Sequence, residues 1–375
     1  MAQPLCPYFG KCGGCAAQHI DYAFQLENKQ KTVAKAAGVE VKNVKVFSGN
    51  DYHYRNRMDF IFHSSGIGLR EKGNWRGIVD VEKCVISDEG LNKLVTEVRG
   101  FFKGCDYFDV LKKTGTFRYA VIRTPHEDSS ISFVLNKDSG KLSAAIEKVR
   151  EFAAQTSAKN VIVTYVPAST DGSISEEFFV VTGSDFLHEE YLGKKFKYHV
   201  QAFFQNNHAM AEKMLAYSRE LLMRYDTSNA QLLDLYGGVG SFGIVNSDLF
   251  RSVLVVESVK GAIDAANENI KENKCMNVAA EVLDAKNVNK LNLSRNLFVI
   301  NDPPRSGMHP KAIERLNELK PKVILYVSCN PEQLGKELPK FKNYTLKSVA
   351  LFDLFPQTPH IEAVAELVLK EEAKN

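Results

Sequence analysis

Leu232-Leu233-Asp234-Leu235-Tyr236-Gly237-Gly238-Val239-Gly240-Ser241-Phe242-Gly243 reads as an apolar strand that ends in an acid and breaks into a glycine turn. Such a strand opens a nucleotide-type site, because a glycine backbone lets a ligand approach closely. The G-x-G is not the full dinucleotide fingerprint and would be weak evidence alone. Its neighbours strengthen it. The next apolar run, Val253 to Val256, ends in Glu257, placed to accept hydrogen bonds from both hydroxyls of a ribose. A short strand around 278–283 leads to Asp284, which is set either to contact an adenine ring or to cap a turn. Strand and helix then alternate to the end of the chain, the βα pattern of a doubly wound sheet.

Three later stretches carry reactive chemistry at strand ends. Leu297 to Asn301 runs into Asp302-Pro303-Pro304-Arg305, where paired prolines fix a rigid extended loop with few free N–H groups. That edge suits a planar substrate. Val323 to Val327 runs into Ser328-Cys329-Asn330-Pro331, and Pro331 is tolerated in the first turn of a helix. A thiol at such a turn is expected to have a lowered pKa and to act as a nucleophile. A lone cysteine is more often a small buried apolar residue; the company of Asp302 and of Pro359-His360-Ile361-Glu362 favours chemistry. The last runs, about 344–352 and 361–369, read as an antiparallel pair.

With 375 residues the chain has room for two or three domains. Its hydrophobic content of 44%, charged content of 25% and net charge of +3 are those of a soluble globular protein that permits an RNA partner without requiring one. No apolar run approaches the ~20 residues that span a bilayer, and no signal-peptide core is visible, so a cytoplasmic location without membrane partners is expected. Seven cysteines in a reducing compartment argue for metal or catalysis over disulfides. Cys6, Cys12 and Cys15 follow a C-x5-C-x2-C spacing with Gly13-Gly14 between the last two. A fourth ligand is needed; of Cys84, Cys105 and Cys275, Cys84 is chosen because it follows a strand-like run. Four thiolates fit zinc or an iron–sulfur cluster, and the spacing leaves both open.

Between these ends, residues 21–37 form an amphipathic helix with Tyr22, Leu26, Val33 and Ala37 on one side and Lys29, Lys31 and Lys35 expected on the solvent side. Arg55, Arg57, Arg70, Lys72 and Arg76 are interleaved with Tyr52, Tyr54, Phe60, Phe62 and Trp75. That mixture suits phosphate contact with base stacking, and equally suits half-buried strands with solvated outer faces. Short strands and two helices from about 50 to 195 predict an α+β domain, with 183–200 as a connection and a helix from about 206 to 224.

Together these pieces resemble the RNA uracil-C5 methyltransferases, the family of the 23S ribosomal RNA and tRNA T-loop enzymes, over nearly the whole chain. Cys6, Cys12, Cys15 and Cys84 look like that family's [4Fe–4S] ligand set, which selects the cluster over zinc. Phe203-Phe204-Gln205-Asn206-Asn207 looks like its FxQ-N block, in which Gln205 would contact cofactor and substrate. Asp234 to Gly240 resembles its S-adenosylmethionine loop, with Tyr236, Gly238, Ser241, Glu257, Asp284 and Asp302 as cofactor positions. Gly237 departs from the Cys or Ser common there, and Ser241 from an Asn; tuning is expected rather than loss. Asp302, Cys329 and Glu362 fall in its substrate, nucleophile and base motifs.

The resemblance implies a class I, Rossmann-like sheet of seven strands ending in a reversed hairpin. It also implies three parts: 1–50 as cluster segment and helix, 51–195 as a central α+β RNA-binding domain, and 196–375 as the S-adenosylmethionine-dependent domain. No TRAM barrel precedes Cys6, so RNA would be bound by the first two. The expected activity is methylation of carbon 5 of a uridine in structured RNA through a covalent Cys329 adduct, by a monomer, with 23S rRNA favoured and the tRNA T-loop as the alternative. A non-catalytic RNA-binding module is the alternative of another class.

Overall fold

Continuous apolar runs such as Leu297–Asn301 and Val323–Ser328 are buried on both faces, as parallel strands between helix layers must be. The computed structural model, which describes residues 2–370, gathers them into one sheet of eight strands. Across it lie Val44–Phe47, Tyr344–Phe352, Glu362–Leu369, Val323–Ser328, Leu297–Asn301, Gln231–Leu235, Ser252–Glu257 and Val278–Val282. Glu362–Leu369 is antiparallel to both neighbours, and every other pair is parallel. Alternate residues feed two cores: Leu232, Val253, Phe298 and Leu325 on one side, and Leu233, Val299, Ile324 and Tyr326 on the other. Gln231–Leu235 lies between strands that follow it, so the sheet order switches there and opens a crevice beyond the strands' carboxyl ends.

Seven strands were expected, and the eighth comes from the N-terminal segment. Val44–Phe47 pairs in parallel with Tyr344–Phe352 and covers what would be an open edge. The helix Tyr22–Ala37 leading to it packs on the helix Pro331–Glu337, so close that a Cβ on Gly335 would lie 3.0 Å from the Ala36 carbonyl oxygen. Residues 22–47, grouped on sequence with the cysteine segment, are thus part of the C-terminal sheet's own packing. Lys29, expected at the surface, is buried: its Nζ lies 2.6 Å from Asp353 Oδ1 and donates to the Phe355 carbonyl at 3.0 Å. A buried acid opposite the helix turns the amphipathic face by one position.

The central region forms a second sheet in the order Asn74–Asp80, Gly66–Glu71, Arg57–His63, Phe117–Arg123, Ser130–Asn136, Asn160–Val166 and Phe178–Thr182. Helices Glu89–Phe101 and Leu142–Ala153 cover one face, closing a core around Phe60, Phe62, Phe102 and Phe133. The stretch 183–200 is not a plain connection. It folds into the hairpin Phe186–Tyr191 and Lys194–His199, held to the helix Lys260–Glu272 by Asn269, whose Oδ1 accepts from Lys197 N at 2.7 Å. No described helix is long and apolar enough to cross a membrane.

Candidate active site

Strand direction brings the reactive side chains together. Val323–Ser328 and Glu362–Leu369 run antiparallel with Ser328 opposite Ala363, so Cys329 at the end of one stands beside Glu362 at the start of the other. On its other side Val323–Ser328 pairs in parallel with Leu297–Asn301, which brings Asp302 to the same end. Asn330 caps the helix Pro331–Glu337 by accepting from Gln333 N at 3.4 Å, and its Nδ2 donates to the Arg305 carbonyl at 3.0 Å. The cysteine turn and the Asp-Pro-Pro-Arg loop are thereby tied to each other.

The electrostatics of this cluster differ from the expectation. Burial pushes the Cys329 thiol up to about 11, with Glu362 and then Asp302 adding to the rise and Arg305 opposing it weakly. A lowered thiol pKa was expected from the helix start; that helix has only seven residues and its cap is already filled by Asn330, so burial and two acids prevail. Burial raises Asp302 to about 7. Glu362, buried with Oε1 lacking any hydrogen-bond partner among the described residues, is raised well above the carboxylate range, first by burial and then by Asp302. Two carboxyls this close hold a proton between them near neutrality.

The glycine turn sits at the switch point. Tyr236, Gly238 and Gly240 have φ of 61°, 54° and 86°, a left-handed path that only the two glycines take without strain. Tyr236 is held there by its hydroxyl, which accepts from His309 N at 3.1 Å. A Cβ on Gly237 would meet Val255 Cγ1 at 2.6 Å, so here the departure from Cys or Ser is a packing requirement. Asp234 is fully buried beneath the turn; its Oδ2 accepts from Gly243 N at 2.8 Å while Oδ1 has no partner, and burial raises it to about 7. Glu257 Oε1 accepts from Ser258 N at 2.6 Å and Val259 N at 3.0 Å, leaving Oε2 with one long bond from Gly238 N at 3.3 Å. Ser241 starts the helix Ser241–Val245. Asp284 caps the following turn, accepting from Lys286 N at 3.0 Å and pairing with Lys286 Nζ at 2.8 Å. Gln205, half-buried, makes no side-chain hydrogen bond among the described residues. Sequence reading gave no role to Arg305, to Asp234 as a buried acid, or to Gln357; only the strand-end position of Asp234 pointed to it.

Cys6, Cys12, Cys15 and Cys84 all line one small cavity of about 20 Å³, with Gly14 and Gln18 in its wall, and all four are free thiols. Among the described residues no group of three or more His, Cys, Asp or Glu is arranged to hold a metal ion, so the cluster expectation rests on this shared cavity and its donor set. Cavities of about 740 and 730 Å³ flank the stacked His126 and His208, and neither is lined by Cys329, Asp302 or Glu362.

A buried and a half-buried acid beside a thiol, next to a glycine turn at a sheet switch point, form the arrangement of a group-transfer enzyme with a nucleotide-type cofactor. Residues 21–370 match the family model described as tRNA (Uracil-5-)-methyltransferase. The chain belongs to the RNA uracil-C5 methyltransferase family, and it is an enzyme that methylates carbon 5 of uracil in RNA from S-adenosylmethionine. The tRNA (uracil(54)-C(5))-methyltransferase of Pyrococcus horikoshii is 33% identical over 367 residues, covering 97% of this chain and 85% of the relative. An uncharacterized RNA methyltransferase of Caldanaerobacter subterraneus is 34% identical over 384 residues, covering 96% and 84%. The crystal structure of Pyrococcus abyssi tRNA (uracil-54, C5)-methyltransferase in complex with S-adenosyl-L-homocysteine superposes with a TM-score of 0.80 at 30% identity, covering 95% of this chain and 86% of that one.

Proposed function

We propose that this chain methylates the T-loop uridine of tRNA through a covalent adduct with Cys329. The observation that carries the chemistry is the meeting of Cys329, Glu362 and Asp302 at one sheet end. The expected preference for 23S rRNA gives way to tRNA because relatives with a named substrate, from P. horikoshii and P. abyssi, are tRNA enzymes.

Carbon 5 of uracil is a weak nucleophile. Addition of the Cys329 thiolate to carbon 6 turns the ring into an enolate whose carbon 5 attacks a methyl group. The thiol, raised to about 11, first gives its proton to the ionised member of the Asp302–Glu362 pair or to solvent. Asp302 is then set to accept the uracil N3–H, and Gln205 to donate to a ring oxygen. Glu362, with an unsatisfied Oε1, takes the carbon 5 proton after methylation once it has passed its own proton to solvent, and elimination frees Cys329 as the thiolate. The uridine must leave its stack to reach them.

Bound S-adenosylmethionine supplies the electrophilic methyl. Tyr236, Gly238 and Ser241 would hold it at the glycine turn, Glu257 Oε2 would accept from its ribose hydroxyls, and Asp284 and Asp302 would complete the set that binds it. The orphan Asp234 Oδ1 and the left-handed glycines fit such a group. Cys6, Cys12, Cys15 and Cys84 would hold a [4Fe–4S] cluster with a structural part and no step in methyl transfer. Anaerobically purified protein should then carry about four iron and four sulfide per chain; stoichiometric zinc without a chromophore would replace the cluster by a zinc site.

Labelled methyl transfer to unmodified tRNA transcripts and to 23S rRNA fragments, followed by base-resolved mapping, tests the substrate. Incorporation into 23S rRNA alone would overturn the tRNA assignment, and none into any RNA would overturn the function.

A further inference from the structure

The central sheet has one face packed by helices; the other is covered in its middle by the segment around Ser173 and by Gln201 and Ala202, which bury Val121, Val134 and Arg123. On this second face, residues alternate along each strand. Arg57 and Asp59 share it, opposite Arg123 and Val121 on the paired strand, and Tyr119 lies beyond next to Ile61. At the catalytic end Arg123 Nη2 donates to the Ala202 carbonyl at 2.6 Å, three residues before Gln205. At the other end the face opens into a cavity of about 260 Å³ whose lining includes Arg70, Arg76, Arg118, Tyr107, Tyr119 and Leu111.

The cavity's charges are arranged for an anion with a planar partner. Arg118 is buried and held by the Pro167 carbonyl at 2.7 Å and the Thr170 carbonyl, and its guanidinium stacks over Phe108 at 4.2 Å. Arg70 is held by the Trp75 carbonyl at 2.6 Å and lies 3.4 Å from Asp171 Oδ2. The two acids in the lining are occupied. Asp171 serves Arg70, Arg118 and the Tyr119 hydroxyl, and Asp109 accepts from Leu111 N at 2.9 Å and Lys112 N at 3.1 Å. Arg76 alone is unspent: its guanidinium makes no hydrogen bond or ion pair among the described residues and lies 5.1 Å from the Trp75 ring centroid. Trp75, Tyr107 and Leu111 are exposed around it.

We propose that this cavity is a second RNA subsite, holding one unstacked nucleotide of the substrate with its phosphate on Arg76 and its base against Tyr107. The inference rests on the RNA-methylating function above and deepens it. Arginine with an aromatic rim is the chemistry that receives splayed-out bases, and a guanidinium matches a phosphate in two bonds. From Arg57 to Ile61 the strand advances ~13 Å, the span of about four stacked nucleotides at ~3.4 Å each. The site therefore reads RNA a few nucleotides away from the uridine being methylated.

The test compares Arg76→Glu, Tyr107→Ala and, as a control of equal charge change on the same hairpin, Lys72→Glu. RNA affinity at several salt concentrations, KM and kcat for tRNA, and S-adenosylmethionine affinity are measured. Arg76→Glu should weaken RNA binding by roughly tenfold or more and flatten the salt dependence by about one ion, raising KM with kcat and cofactor affinity unchanged. Tyr107→Ala should weaken it at every salt concentration with the same slope, as loss of stacking does. Lys72→Glu should do distinctly less. Equal losses for Arg76→Glu and Lys72→Glu, or wild-type affinity in Arg76→Glu, would overturn the subsite while leaving the function standing. A wild-type protein that methylates no RNA would overturn the function itself and the occupant with it. A lowered kcat without a change in RNA affinity would also refute the subsite.

Discussion

Gln25 and Gln357 exchange two hydrogen bonds across the interior: Gln25 Nε2 donates to Gln357 Oε1 at 2.9 Å, and Gln357 N donates to Gln25 Oε1 at 3.1 Å. The Gln357 carbonyl accepts from Ala16 N at 2.9 Å and Ala17 N at 3.1 Å, directly after Cys15. Gln357 is buried with φ of 65°, a left-handed conformation that its partners must hold in place. Five residues later stands Glu362. The cysteine segment, the N-terminal helix and the loop that presents the buried carboxylate are therefore one hydrogen-bonded unit.

Breaking this unit should be felt at the carboxylate. Gln357→Ala removes the side-chain bonds to Gln25 and Asp51 and should cost about 1–3 kcal/mol of stability. In turnover it should slow release of the adduct more than its formation, because Cys329 stands on a different strand. Rapid-quench separation of adduct formation from adduct decay decides this. Equal slowing of both steps would mean that the loop does not position Glu362.

Gln357 also shows where the sequence was legible. The strand-end residues Asp234, Glu257, Asp302, Cys329 and Glu362 could be found because each follows or starts an apolar run, and a doubly wound sheet puts those ends together. The N-terminal segment could not be placed that way. Its strand Val44–Phe47 is four residues long, and its helix buries Gln25 and Lys29 against partners more than three hundred residues away. Periodicity assigned Lys29 to solvent because local pattern carries no information about Asp353. The thiol's raised pKa was missed for a similar reason: the helix start is local in sequence, whereas Glu362 and Asp302 reach Cys329 only through the fold.

The Asp302 carboxyl, raised to about 7, makes stability depend on pH. The folded state holds this proton more tightly than the unfolded chain, where an Asp titrates near ~4. Its stabilising contribution is complete below pH ~4 and is lost as pH rises toward about 7. Asp302→Asn should therefore raise stability at pH 8 by roughly 1–2 kcal/mol, discounted because the carboxyl keeps a solvent-facing side. It should give no gain at pH 4, and it should lose methylation. Denaturant melts at the two pH values measure it. An equal change at both would mean that Asp302 is ionised in the fold at neutral pH.

Glu257 has one carboxylate oxygen committed to the turn after its strand and one nearly open. Glu257→Ala should weaken S-adenosylmethionine binding by about 1.5–3 kcal/mol, the scale of charge-assisted hydrogen bonds. Glu257→Gln keeps an acceptor for Ser258 N and Val259 N and should retain the fold while still losing affinity. Calorimetry on both variants separates the two contributions. An unchanged dissociation constant in each would move the ribose to another residue.

Cys329 and Glu362 should fail at different steps. Cys329→Ala should abolish methylation and leave cofactor and RNA binding intact, since the thiol is needed only for addition to carbon 6. In Glu362→Gln the thiol and the methyl donor remain, so addition and methyl transfer proceed, but the carbon 5 proton stays and elimination stalls. This variant should accumulate a methylated protein–RNA adduct that migrates slowly on a denaturing gel. A 5-fluorouridine substrate should trap the same species in the wild type, because fluorine cannot leave as a cation. Adduct formation by the wild type on that substrate should speed up as pH rises toward about 11, following the fraction of Cys329 thiolate. Absence of an adduct in both experiments would refute the covalent route. An adduct that persists in Cys329→Ala would move the nucleophile to another thiol. Cys275 is a poor replacement: it is buried in the same core as Leu232 and Val253, with its Sγ 3.4 Å from Ser247 Oγ.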